Sequence, residues 1–139
     1  MALGLFLILN GLWIVYYMDF KSYVTNIPID ENGVYSKDIG NGFLCSVNMP
    51  SYLRFNGELE VYDEDEDNKL VIWISSLKKE KTYGAMVKCE SEQYAMYLNE
   101  DGSFIDEENP KEYKDFYIKS KKTIDKLYQS AALVWNLKE

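Results

Sequence analysis

The 139-residue chain reads as an α+β protein: an antiparallel β-meander of about five strands, packed by a long C-terminal α-helix and preceded by an N-terminal hydrophobic segment. Three observations predict this class. Residues 2–18 carry no charged side chain. Across residues 43–98 apolar side chains recur with a period near two between polar turns, the pattern of half-buried strands. From residue 113 onward they recur at i, i+3 and i+4, the pattern of a helix with one buried stripe.

A helix needs about 20 apolar residues to cross a hydrocarbon core of about 30 Å, with about 17 as the lower limit. The run ALGLFLILNGLWIVYYM reaches that limit, and Trp13, Tyr16 and Tyr17 lie toward its C-terminal end, where amphipathic rings suit a membrane interface. No Lys or Arg precedes it, and Tyr16-Tyr17-Met18-Asp19 is a poor cleavage site, so it reads as uncleaved. No cysteine follows closely enough for lipoprotein processing. The expected arrangement is a membrane anchor over residues 1–21 and one α+β domain over residues 22–139, with the domain outside the cytoplasm. A second reading stands beside it. Asn10-Gly11 is a strong turn signal between two apolar runs of strand length, residues 5–9 and 12–17, which suits a buried core element in a cytoplasmic protein.

Residues 22–42 contain Pro28, Asp30, Asn32-Gly33 and Gly40-Asn41-Gly42 and read as extended chain broken by turns. Strands are expected near residues 42–48, 58–62, 69–75, 83–89 and 93–98, with a short one at 103–105. In the second, Leu59 and Val61 oppose Glu58 and Glu60, giving one wet face. In the third, Leu70, Ile72 and Ile74 alternate with Val71 and Trp73, so both faces are apolar and the strand is central. Asp101-Gly102 supplies the positive φ of a tight turn. Asn109-Pro110-Lys111-Glu112 carries an N-cap, a first-turn proline and capping-box spacing, so a helix is expected to begin there. Its stripe includes Tyr113, Phe116, Tyr117, Ser120, Ile124, Leu127, Tyr128 and Ala131, followed by Val134 or Trp135.

Composition removes several function classes. The net charge of −8 disfavours nucleic acid and favours a basic protein partner. The absence of histidine removes the commonest general base and metal ligand, and no phosphate-binding glycine loop is present, so no enzyme, metal or cofactor is expected. Cys45 and Cys89 lie outside any CxxC arrangement; a disulfide in an oxidising compartment and two buried free thiols both fit them.

The acidic run Asp63, Glu64, Asp65, Glu66 and Asp67, with Glu58 and Glu60 close by, forms a dense negative patch. Asp63, Asp65 and Asp67 share the spacing of the first calcium-loop ligands, but Asn68 replaces the turn glycine and Ile74 the bidentate glutamate. The run is either a solvated hairpin tip or a contact that steers a basic partner. Ser75-Ser76 with Lys78-Lys79 is a poor dyad, because a lysine in such a turn stays solvated and protonated. Trp73, Tyr83, Tyr94 and Tyr97 form either a binding platform or a set of rings packed beneath the helix. The expected partner-binding set is Glu58, Glu60, Asp63, Glu64, Asp65, Glu66, Asp67, Trp73, Tyr83 and Tyr97.

Residues 83–138, including YAMYLNEDGSFIDEENP and the helix ending IDKLYQSAALVWNLK, follow a single hydrophobic segment and an acidic meander. In this architecture the chain resembles the TipC-type immunity proteins of Gram-positive polymorphic-toxin (type VII) systems. The resemblance implies a membrane-associated, non-enzymatic protein that neutralises a secreted toxin by presenting a sheet surface to it. A membrane-tethered accessory or sensor domain of a secretion or envelope complex is the alternative.

Overall fold

The computed structural model describes residues 2–65, 67–74 and 81–137. It has an N-terminal helix, a six-stranded antiparallel sheet and a long C-terminal helix. The N-terminal run is one unbroken helix, α1 (Ala2–Phe20). Asn10-Gly11 makes no hairpin: Asn10 Nδ2 donates 2.8 Å to the Phe6 carbonyl one turn back, so the polar side chain is satisfied within the helix. A 3-10 turn at Lys21–Val24 follows.

The strands run β1 (Tyr35–Gly40), β2 (Phe43–Asn48), β3 (Glu58–Asp63), β4 (Lys69–Ile74), β5 (Lys81–Cys89) and β6 (Glu92–Leu98), and they lie in that order across the sheet. Five strands and the helix stand where the alternation placed them, and β4 is interior as expected. The addition is β1, in the stretch expected to be a turn-rich linker. It pairs with β2 through a two-residue turn in which Asn41 and Gly42 have φ of 59° and 81°. That double positive φ is the geometry of a type I′ hairpin. Its Ser36-Lys37-Asp38 centre has no apolar alternation, as befits an edge strand whose charges discourage pairing with another chain. The short strand expected at residues 103–105 is reduced to a single bridge between Leu98 and Phe104.

Cross-strand register settles which side chains share a face. Cys45, Val61, Leu70, Ala85 and Met96 stand in one row. All are 3% exposed or less, beneath the C-terminal helix α2 (Tyr113–Trp135). From the helix Tyr117, Ile124, Leu127, Ala131 and Trp135 close the same core. Full burial of a Leu or Ile contributes about 1.5–3 kcal/mol, so this stripe holds the layers together. Cys45 and Cys89 are both free. They sit on β2 and β5, three strand spacings or about 14 Å apart across the sheet, with Cys89 four residues further along its strand than the row of Cys45, which is too far for a disulfide.

The start of α2 corrects the capping expectation. The helix begins at Tyr113 with Glu112 at its cap position and no side-chain capping bond. Asn109 is 8% exposed and belongs to the sheet instead. Its Oδ1 accepts from the Tyr97 amide, and its Nδ2 donates to the carbonyls of Tyr97 and Ile105, each at 2.8 Å. Asn109 thus mimics a strand residue beside the β6 edge, and a buried amide with three bonds is worth more there than as a cap.

The end of α1 is part of the domain core. Tyr16 and Phe20 are 3% and 1% exposed. The Tyr16 hydroxyl donates to the Ile74 carbonyl and accepts from the Gly57 amide, both at 3.0 Å. Phe20 lies so close to Gly57 that a Cβ there would stand 2.4 Å from its ring, and only glycine fits. The Trp135 indole donates to the Tyr23 carbonyl, joining the C-terminal end of α2 to the same corner. In contrast, residues 2–9 stand free of the domain, with Leu3, Leu5, Phe6, Leu7, Ile8 and Leu9 each 41–70% exposed. The helical stretch Ala2–Val24 is long and apolar enough to cross a membrane, and it is largely exposed; a membrane anchor and a signal sequence share those properties.

Candidate functional site

The face of the sheet opposite α2 is covered by no described element, and it divides into an apolar and a polar half. Val71, Trp73, Gly84, Met86, Ala95 and Tyr97 surround a shallow hollow of about 280 Å³. Trp73 and Tyr97 are 37% and 45% exposed, with ring centroids 6.3 Å apart. Gly84 provides the seat: a Cβ on it would meet the Trp73 ring at 2.8 Å. A large ring lying flat on a glycine of the neighbouring strand is thereby held in place without being buried.

The polar half begins one strand away. Glu60 Oε2 accepts from Ser46 Oγ at 3.1 Å and from Asn48 Nδ2 at 3.3 Å, and its Oε1 is 3.2 Å from Lys69 Nζ. Glu58 Oε1 accepts from the same Asn48 amide at 2.9 Å. Glu58 pairs across the sheet with Trp73, so the carboxylates and the apolar hollow are contiguous. Lys69 neutralises Glu60, which leaves Glu58 as the carboxylate of this face with no ion pair among the described residues.

The acidic hairpin lies at the far end of β3 and β4 and is partly self-engaged. Asp63 organises the turn: its Oδ1 accepts from the Asp67 and Asn68 amides and its Oδ2 from Asn68 Nδ2. Asp67 is 3.3 Å from Lys88 Nζ. Glu64 and Asp65 remain as exposed charges, while Glu66 lies outside the described residues. Among the described residues no group of three metal-ligating side chains is placed to hold an ion. The Ser75-Ser76 and Lys78-Lys79 pairs also fall outside the described residues.

Two of the four aromatics expected in a platform lie elsewhere. Tyr83 pairs with Ile72 and so faces α2, where it is 3% exposed against Tyr128; burial pushes its hydroxyl up to about 12. Tyr94 stacks on Phe116 with centroids 4.0 Å apart. Tyr83 therefore cannot touch a partner, whereas Trp73 and Tyr97 can. The hollow itself was invisible in the sequence, because it needs Gly84 placed opposite Trp73's neighbour Val71, a fact of register. Burial also pushes the Cys45 thiol up, leaving it a poor nucleophile.

The chain was compared with protein-family models, curated proteins and solved structures. It matches none of them.

Proposed function

We propose that the chain is a membrane-anchored, non-enzymatic immunity-type protein that binds and neutralises a protein toxin through the open face of its sheet. The observation that carries this reading is the exposed pair Trp73 and Tyr97 over the Gly84 seat, beside Glu58 and Glu60. Aromatic rings with a desolvated backing are the side chains that most often dominate protein interfaces, and polar groups at their rim supply specificity. A shallow, open hollow suits a protruding side chain of a protein better than the enclosure of a small molecule. The net charge of −8 and the exposed Glu64 and Asp65 favour a basic partner and quicken its approach. The resemblance of residues 83–138 to TipC-type proteins supplies the class of that partner, a secreted toxin. An anchor formed by α1 would hold the domain outside the cytoplasm, where such a toxin arrives.

The test is co-expression of the full-length chain with each candidate toxin encoded by a neighbouring gene, with both directed to the envelope and growth followed. Survival with the chain and arrest without it is the expected result. Arrest in both cultures, with the chain present at full level, contradicts the proposal.

A further inference from the structure

The membrane-facing end of the domain contains a feature that the anchor alone does not require. Along α1 the contacts with the domain follow one stripe, Phe20, Tyr16, Trp13 and Asn10, and the loop at residues 49–56 lies along it. The Trp13 indole donates to the carbonyls of Ser51 and Arg54 at 2.8 and 3.0 Å. Tyr52, 60% exposed, donates to Asn10 Oδ1 and packs edge-on against Trp13 with centroids 5.4 Å apart. Tyr17 packs against the other side of Trp13 at 5.0 Å. Arg54, the only arginine of the chain, is exposed in the same loop. Three amphipathic rings and an exposed arginine therefore gather about Trp13, where the free apolar part of the helix begins.

Resting on the anchor reading above, we infer that Trp13, Tyr17, Tyr52 and Arg54 form a collar seated in the lipid headgroup layer, which fixes the domain against the bilayer. Three observations select lipid as the occupant. The helix beyond the collar is apolar on every side, with consecutive residues 5–9 all largely exposed, whereas a groove-binding protein would need only one stripe. Trp and Tyr are the residues that settle at the headgroup level, and Arg pairs with phosphate in bidentate fashion. The helix is also held to the domain: Tyr16 and Phe20 are core residues, the Tyr16 hydroxyl is bonded at the ends of β3 and β4 and Phe20 packs on Gly57, so its axis is not free to swivel as a flexible tether would be.

The consequence is an orientation. Tyr16 meets the sheet at Gly57 and Ile74, the α1 end of β3 and β4, and the hairpin with Asp63 and Asp65 is at the other end of the same strands. Five residues of strand span about 17 Å. The acidic tip therefore points away from the lipid, and the open face stands across the membrane surface rather than against it.

The test uses full-length protein in vesicles of phosphatidylcholine and phosphatidylglycerol. A Cys89→Ser background carries a single environment-sensitive fluorophore at Tyr52→Cys or at Asp65→Cys, and circular dichroism checks that each labelled protein is folded. With lipids brominated near the carbonyl end of the acyl chain, the label at position 52 should lose most of its intensity and that at position 65 none. Intrinsic Trp13 quenching, read in a Trp73→Phe, Trp135→Phe variant checked for folding in the same way, provides a second measurement without the label. Protein that floats with the vesicles while position 52 and Trp13 stay unquenched overturns the collar and leaves the anchor standing. Equal quenching at positions 52 and 65 overturns the orientation. Protein that does not float with the vesicles overturns both the anchor and the collar.

Discussion

At the scale of single residues, a few polar atoms decide how elements join. Tyr16 is the clearest case, because one hydroxyl bridges the end of β4 and the start of β3 from a helix that is otherwise apolar. Removing it leaves a buried amide and carbonyl without their partner, which costs about 1–3 kcal/mol. Tyr16→Phe should lower the free energy of unfolding by about that amount in urea titrations, with the helix still formed. The expectation that Tyr16 sits at a membrane interface followed from its neighbours Trp13 and Tyr17; Tyr16 shares the stripe of Trp13 but lies one turn deeper in the domain, so it is buried while Trp13 and Tyr17 stay partly exposed. Tyr83 shows the same limit in a strand. The alternation placed it correctly with Ala85 and Val87, but whether that face meets Trp73's face depends on pairing with Ile72. A slip of one residue would exchange the two faces, and hydropathy within a strand cannot fix it.

At the scale of elements, most of the architecture was legible. Strands β2 to β6 and helix α2 announce themselves through periodicity because each buries one face. β1 did not, since an edge strand with Lys37 and Asp38 at its centre buries little and gains its place from the Asn41-Gly42 turn. The loop at residues 49–56 was also missed, for it has no periodic pattern and is held by its own Ser51–Arg54 and Ser51–Asn56 bonds and by Trp13 of α1. The first helix belongs to two environments at once: its last turns are core, and its first eight residues are free. Deleting residues 2–9 should therefore leave thermal unfolding of the domain unchanged in near-ultraviolet circular dichroism. Deleting residues 1–21 removes Phe20 and Tyr16 together. A single large aromatic lost from a core costs about 3–5 kcal/mol. Loss of both approaches the total stability of an ordinary domain, about 5–15 kcal/mol, so that variant should lack a cooperative transition.

At the scale of the whole molecule, the acidic hairpin and the exposed apolar helix are separated in space. They occupy opposite ends of β3 and β4 in a protein of net charge −8. The core also carries a pH signature. Burial raises the hydroxyl of Tyr83 to about 12 and that of Tyr117 in the same direction. Their folded-state values exceed the unfolded value near 10, so the folded state holds its protons longer. That contribution is complete below pH 10 and is lost as pH rises from about 10 toward 12. Stability measured from pH 8 to 11.5 should fall at the alkaline end, and less steeply in Tyr83→Phe.

The reading of the open sheet face as the binding surface makes one comparison decisive. The affinity of detergent-solubilised, full-length protein for a candidate toxin, taken from the products of neighbouring genes, would be measured for the parent, for Trp73→Ala with Tyr97→Ala, and for Lys119→Glu with Lys122→Glu on α2. The account predicts that the sheet-face variant loses affinity by about 100-fold or more, as interface anchors of about 2–4 kcal/mol do, while the helix variant binds like the parent. Parent-like binding by a folded sheet-face variant, or loss of binding confined to the helix variant, would contradict it.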